Sequence, residues 1–182
     1  MHRIMLPVIA CALVLAAAPA RADHFSAKFS GFEEIGGLGA GETGAILSDG
    51  KGSLALDLDR HNQVLTFTLE FSGLSAPVTQ AHIHFGKRHV AGGIMVFFCS
   101  NLANPPAGTQ PCPAGGGTVT GMITAADVIG PAAQHVTPGD FAAVTRALDS
   151  DTAYGNIHTT NFPAGEIRGQ IRRGHRDHDR HD

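Results

Sequence analysis

Gly52-Ser53-Leu54-Ala55-Leu56-Asp57-Leu58-Asp59, then Arg60-His61-Asn62, then Gln63-Val64-Leu65-Thr66-Phe67-Thr68-Leu69-Glu70-Phe71: along this stretch an apolar side chain recurs at every second position. Side chains alternate across a strand, so Leu54, Leu56 and Leu58 share one face. Leu65, Phe67, Leu69 and Phe71 do the same, with Thr66, Thr68 and Glu70 opposite. The polar break at 60–62 predicts a hairpin turn. Outward from this pair, the pattern predicts further strands over 24–33, 78–85, 93–100, 117–124, 153–160 and 166–171. Short strands punctuated by Gly and Pro predict an all-β sandwich or barrel. One helix interrupts them. Thr137-Pro138-Gly139-Asp140 reads as an N-cap, a proline at the first position and an acid at the third. Phe141, Val144 and Leu148 follow at helical spacing, so a crossover helix is expected over 138–149. Residues 125–128 read as a shorter helical turn.

The two ends of the chain differ in kind from its middle. Met1-His2-Arg3, an apolar run over 4–18 and an Ala20-Arg21-Ala22 cleavage site read as an export signal over 1–22. Ala18-Pro19-Ala20 offers a second cut. Cys11 lies within the apolar run with more apolar residues after it, which argues against a lipid anchor. The run is short for a bilayer span, and none longer follows, so no membrane span is expected in the mature chain. The remainder suits one domain over 23–173. From 174 onward, Gly174-His175-Arg176-Asp177-His178-Asp179-Arg180-His181-Asp182 has no apolar residue to bury and is expected to be disordered. It reads as a solubilising tail, or as a weak collector of zinc, copper or nickel.

From 13 basic and 16 acidic residues, removal of Arg3 and Arg21 leaves 11 against 16. No basic stripe survives, which sets nucleic acid aside as a partner. Cys99 and Cys112 remain as an even pair. In an exported chain this reads as a disulfide closing a Pro- and Gly-rich loop, contributing about 3 kcal/mol. A pair of thiolate metal ligands is the alternative. Export places the protein in the periplasm or outside the cell.

Chemistry concentrates in three places. In Ala81-His82-Ile83-His84-Phe85-Gly86, strand alternation puts His82 and His84 on one side and Ile83 and Phe85 on the core side. Two imidazoles so placed can bind one metal ion, or can be two surface histidines. In Tyr154-Gly155-Asn156-Ile157-His158-Thr159, residues Tyr154, Asn156 and His158 share a face. In Gly165-Glu166-Ile167-Arg168-Gly169-Gln170-Ile171, residues Glu166, Arg168 and Gln170 do. The last two strands should pair as a hairpin. One register sets His158 beside Glu166 with Arg168 on the same face, and a one-residue slip destroys that alignment. Glu166 and Arg168 also read as a structural ion pair. His61 and His135 are expected on the surface, Met95 and Met122 in the core. Glu33, Glu34 and Glu42 show no partner in the sequence, and His24 lies close to the mature start.

The stretches 82–86, 121–128 and 140–148, and above all Asn156-Ile157-His158-Thr159 with Gly165-Glu166-Ile167-Arg168-Gly169-Gln170, resemble the CHRD domain, the module repeated in chordin. The resemblance spans roughly 25–172. It implies an immunoglobulin-like, Greek-key β-sandwich in exported proteins, and no single agreed activity. Lys87-Arg88-His89-Val90 is more basic than that pattern, and His89 is an extra histidine. Locally, the Ala-His-Ile-His-Phe-Gly strand is also similar to the copper strand of copper/zinc superoxide dismutases. That likeness matches His82 and His84, then His158, Arg168 and the cysteine pair. It lacks a bridging histidine and a zinc-loop cluster.

Three functions therefore stand open. The first is binding of copper or zinc through His82, His84 and His158, with His89 and Glu166 as further candidates. The second is a non-catalytic module that contacts an envelope or extracellular protein. The third is a copper-dependent, superoxide dismutase-like enzyme in which Arg168 attracts the anion.

Overall fold

The computed structural model describes residues 22–35, 44–103 and 105–174. All but the last residue of the expected export signal, residues 1–21, lie outside the described residues, as do the residues of the tail beyond Gly174 and Glu42. Among these residues nine strands form: β1 (Asp23–Ser30), β2 (Lys51–Asp59), β3 (Val64–Ser72), β4 (Val78–Phe85), β5 (Gly93–Ser100), β6 (Gly117–Ile123), β7 (Ala153–Thr159), β8 (Ile167–Gln170) and β9 (Arg172–Arg173). One α-helix, α1 (Phe141–Asp149), crosses from β6 to β7, among the described residues.

The alternating pattern becomes a core as expected. β2 and β3 pair antiparallel with Leu54 opposite Leu69, Leu56 opposite Phe67 and Leu58 opposite Leu65. All six are buried. Each such side chain contributes roughly 1.5–3 kcal/mol by leaving water.

Hydrogen-bonded pairing runs continuously in the order β5-β4-β7-β8-β1-β2-β3-β6, with β9 beside β1. The sheet curls until its two ends nearly meet. There Gln110 donates through Nε2 to Phe98 O on β5 (3.3 Å) and to Thr120 O on β6 (2.9 Å). The Cys99–Cys112 disulfide pins the same seam, and the Phe67 and Phe98 rings pack 4.8 Å apart behind it. The all-β class and the crossover helix agree with the sequence. The division into two sheets that a Greek-key sandwich requires is not drawn by this pairing; the sheet is barrel-like.

Three local expectations are corrected. The first strand stops at Ser30 and turns into a 3-10 segment, Gly31–Glu33. Gly31 O accepts there from Ile46 N (2.6 Å), and a Cβ on Gly31 would lie 2.2 Å from Ile46 O. The close approach of two backbones ends the strand. The helix is capped by Asp140, whose carboxylate accepts from Ala143 N (2.8 Å). Thr137 to Asp140 is a turn instead, closed by Asp140 N donating to Thr137 O with Gly139 at φ 86°. Met122 is 69% exposed, because β6 turns its even-numbered side chains outward while Val119 and Ile123 face the core.

Candidate metal centre

β4 carries the central pair of ligand candidates. Ala81 and Ile83 point into the core, and His82 and His84 point to the opposite face. That face is covered rather than solvated, with His82 at 0% exposure and His84 at 7%. The pairing of β4 with β5 shifts register on either side of the His82–Ile83 step. Such irregularities re-aim side chains beside sites. On the other flank, β7 sets Tyr154 opposite His84, Asn156 opposite His82 and His158 opposite Gln80. His158 is thus the diagonal neighbour of His82. β8 follows with Arg168 opposite Asn156 and Ile167 opposite Ile157. This is the register that aligns position 158 with position 166.

The three imidazoles converge. His82, His84 and His158 can each offer a ligand atom within 4.8 Å of the others, and among the described residues they form the one such group. His84 donates from Nδ1 to Gly92 O (2.9 Å), and His158 donates from Nδ1 to Pro163 O (2.9 Å). These carbonyls fix both tautomers, so each ring presents a bare Nε2. His158 Nε2 lies 3.2 Å from His82 Nδ1. Two nitrogens bound at about 2.0 Å in a tetrahedral shell lie about 3.3 Å apart, so this separation suits a shared ion.

Buried polar atoms almost always have partners. Among the described residues, the buried side-chain atoms without one are Gln80 Oε1, His82 Nε2, His84 Nε2, Arg168 Nη1 and Gln170 Oε1. All belong to alternate positions on a single face of β4 and β8. Burial drives His82 down to about 2, helped by the charges His158 and His84 would carry. Burial likewise takes His84 to about 4, against the pull of the Gly92 carbonyl. It lowers His158 too, opposed by the Pro163 carbonyl and Glu34. Neutral imidazole is the ligating form, and the fold supplies it throughout the ordinary pH range.

Around the cluster stand Arg168, which the sequence singled out, and several residues to which it gave no role. Since β7 lies between β4 and β8, the Tyr154 ring stands between His84, stacked on it at 4.8 Å and 4°, and the Arg168 guanidinium, 3.4 Å from the ring centroid. Arg168, 1% exposed, donates from Nη2 to Lys87 O and Val90 O (both 3.1 Å). The loop between β4 and β5 is thereby held over the site. Asn156 donates to Glu34, a buried carboxylate, and Arg88 donates to Glu33. Neither glutamate's partner was visible in sequence, because no spacing rule links positions so far apart along the chain.

His89 and Glu166 are placed apart from the cluster. His89 sits exposed at φ 60° in a turn closed by Val90 N and Lys87 O. Glu166 turns to the core side, where its carboxylate accepts from Ser48 Oγ (2.6 Å), Ser75 N (2.8 Å), Ser75 Oγ (2.9 Å) and Thr159 Oγ1 (2.7 Å). The regular pleat of β8 starts only at Ile167, after Gly165 at φ 130°, so Glu166 escapes the alternation that places Arg168. The expected Glu166–Arg168 ion pair is therefore absent, and each side chain has other partners. Burial alone would raise the Glu166 pKa, but the hydroxyls of Ser48, Thr159 and Ser75 with the Ser75 N–H hold it below the ordinary range. Glu166→Ala strands the buried Thr159 hydroxyl and the part-buried donors of Ser48 and Ser75 and should cost about 1–3 kcal/mol, read as a lower urea midpoint with an unchanged slope.

The fold and this cluster define a class: an all-β module with three buried imidazoles under one loop. Residues 25–171 match the family model of the CHRD domain, and the chain belongs to that family. Among curated proteins and among solved structures, nothing matches the chain. The disulfide suits an oxidising compartment, and among the described residues no helix is long and apolar enough to cross a membrane.

Proposed function

We propose that this protein is an exported CHRD-domain protein that holds one transition-metal ion, copper in preference to zinc, through His82, His84 and His158. The reading rests on one observation: the ligand nitrogens of three buried rings face one another while two of the rings leave Nε2 unpaired. Imidazole suits both metals, and divalent copper outranks zinc at a given nitrogen site. Copper there would supply one-electron redox chemistry. Arg168, with Nη1 free of a partner, is the residue to hold a small anion beside the cluster. On this reading residues 1–22 are removed during export to the periplasm or beyond. The curled sheet is then the family's Greek-key sandwich with its edges drawn together.

Tyr154 provides the test, because the chain has one tyrosine and no tryptophan. Its ring is stacked on His84, so one equivalent of Cu(II) should quench most of the tyrosine emission of protein purified without an affinity tag. Zn(II) should not quench by itself, but should compete at higher concentration. Emission unchanged after a full equivalent of Cu(II), with no copper retained on gel filtration, sinks the proposal.

A further inference from the structure

The three imidazoles supply three ligand atoms, one short of a tetrahedral shell. A fourth donor from the protein has to be a buried acceptor without a partner, on the same face and beside the rings. Among the described residues two oxygens meet the first condition, Gln80 Oε1 and Gln170 Oε1. Gln170 lies on β8, with β7 between it and β4, and stands opposite Tyr154. Its amide nitrogen donates to Gly86 O, Asp151 O and Ala153 O, which anchors it at the end of β7 remote from His158. Gln80 lies on β4 itself, two residues before His82 and so on the same side of the strand. β7 sets it directly opposite His158. Side chains so opposed have Cβ atoms about 4.5–5.5 Å apart, and Gln80 thus flanks both His82 and His158. The β4–β7 pairing shifts register between Val78 and Gln80, an irregularity of the kind that re-aims a side chain. Gln80 as a whole is only half-buried, yet its carbonyl oxygen is enclosed. Enclosing an amide oxygen without a donor is costly, and a cation at the rings removes that cost. Neighbouring polar groups are engaged elsewhere: Asn156 donates to Glu34 and Ile167 O, and the Tyr154 hydroxyl accepts from Gly92 N.

We infer that Gln80 Oε1 is the fourth ligand of the ion held by His82, His84 and His158, and that it sets the preference of the site for Cu(II) over Cu(I). The inference rests on the three-histidine reading and adds to it the oxidation state. An amide oxygen is a hard donor and suits the divalent ion, whereas soft thioether ligands select Cu(I). Copper sites built on two imidazoles and a thiolate use a weak axial Met or Gln to tune their potential. Gln80 takes that part beside three imidazoles.

The test uses the full untagged chain and its Gln80→Leu, Gln80→Met and Gln80→Glu variants, each checked for folding by circular dichroism. Cu(II) affinity is read from Tyr154 emission, and Cu(I) affinity from competition with a chromophoric chelator. The ligand set is read from the electron paramagnetic resonance spectrum of the Cu(II) form. Gln80→Leu should weaken Cu(II) binding about tenfold and leave Cu(I) binding unchanged, which raises the one-electron reduction potential by about 59 mV. Gln80→Met should bind Cu(I) more tightly than Gln80→Leu, and Gln80→Glu should restore Cu(II) affinity. The parallel hyperfine splitting should change in Gln80→Leu and in Gln80→Met. An unchanged spectrum and potential in Gln80→Leu overturns the inference. An equal fall in Cu(II) and Cu(I) affinity does so too, because it marks a packing role alone. If the native chain retains copper and the variants match it, only Gln80 is misassigned. If the native chain retains none, the three-histidine reading fails and this inference falls with it.

Discussion

Copper affinity falls by more than about a hundredfold when His158 is replaced by alanine, and the His82→Ala, His158→Ala pair binds no stoichiometric copper at all. Losing an outer partner of a ligand already costs 10–100-fold, and these variants remove ligand atoms themselves. The metal-free fold should tolerate the change. His82 Nε2 has no partner to lose, and the carbonyl that His158 holds, that of Pro163, lies in a surface turn. A ligand bound at a hundred times its dissociation constant stabilises a protein by about 2.7 kcal/mol. The native chain should therefore gain several degrees of melting temperature with copper, and the double variant should gain none. Equal shifts in both would show that the metal binds elsewhere. Exposed His89→Ala serves as the control and should behave as the native chain.

The metal-free protein should be acid-labile in an unusual window. Once unfolded, each imidazole takes up a proton near pH 6.5, whereas in the fold His84 holds out to about 4 and His82 to about 2. Below pH 6.5 the unfolded state therefore binds more protons, and stability falls as pH falls. The full contribution is present above pH 6.5 and drains away as pH falls, toward pH 4 for His84 and still further down for His82. Each ring accounts for up to about 1.4 kcal/mol per pH unit, so the two together cost about 5 kcal/mol by pH 4.5. That is comparable with the whole stability of many domains. Glu166, whose pKa is also depressed, loses its contribution only below the ordinary carboxylate range, and so acts at lower pH. Urea midpoints measured from pH 7 to 4 should drop steeply, and a His82→Gln, His84→Gln variant should flatten the curve. Saturating zinc should move the drop to lower pH, because a bound ion competes with the proton. A flat profile in the native chain would mean that the rings are not buried as described.

Much of the site was readable because strand alternation is a strong rule. It placed His82 with His84, and Tyr154, Asn156 and His158 together, before any pairing was known. The rule runs out where pairing begins. Nothing local chooses between two registers of the β7–β8 hairpin, and only that choice sets Arg168 beside Asn156. The rule also misled at Glu166, since a residue in the turn before a strand need not obey the pleat. Local signals likewise placed the helix start three residues early, at 138 against Phe141, because proline suits a turn as well as a first helical position.

By itself the sequence determined the strands, the apolar face each one buries, the disulfide partners and which histidines lie on a common side. These follow from chain-local chemistry: a period of two, an even cysteine count, a polar break. The tertiary structure alone decided that the histidine face is covered, that β7 lies against β4, and that Tyr154 separates His84 from Arg168. It also decided that the pairing runs through one sheet curled nearly closed. Those outcomes depend on contacts between segments far apart in the chain, whose energies no single segment carries.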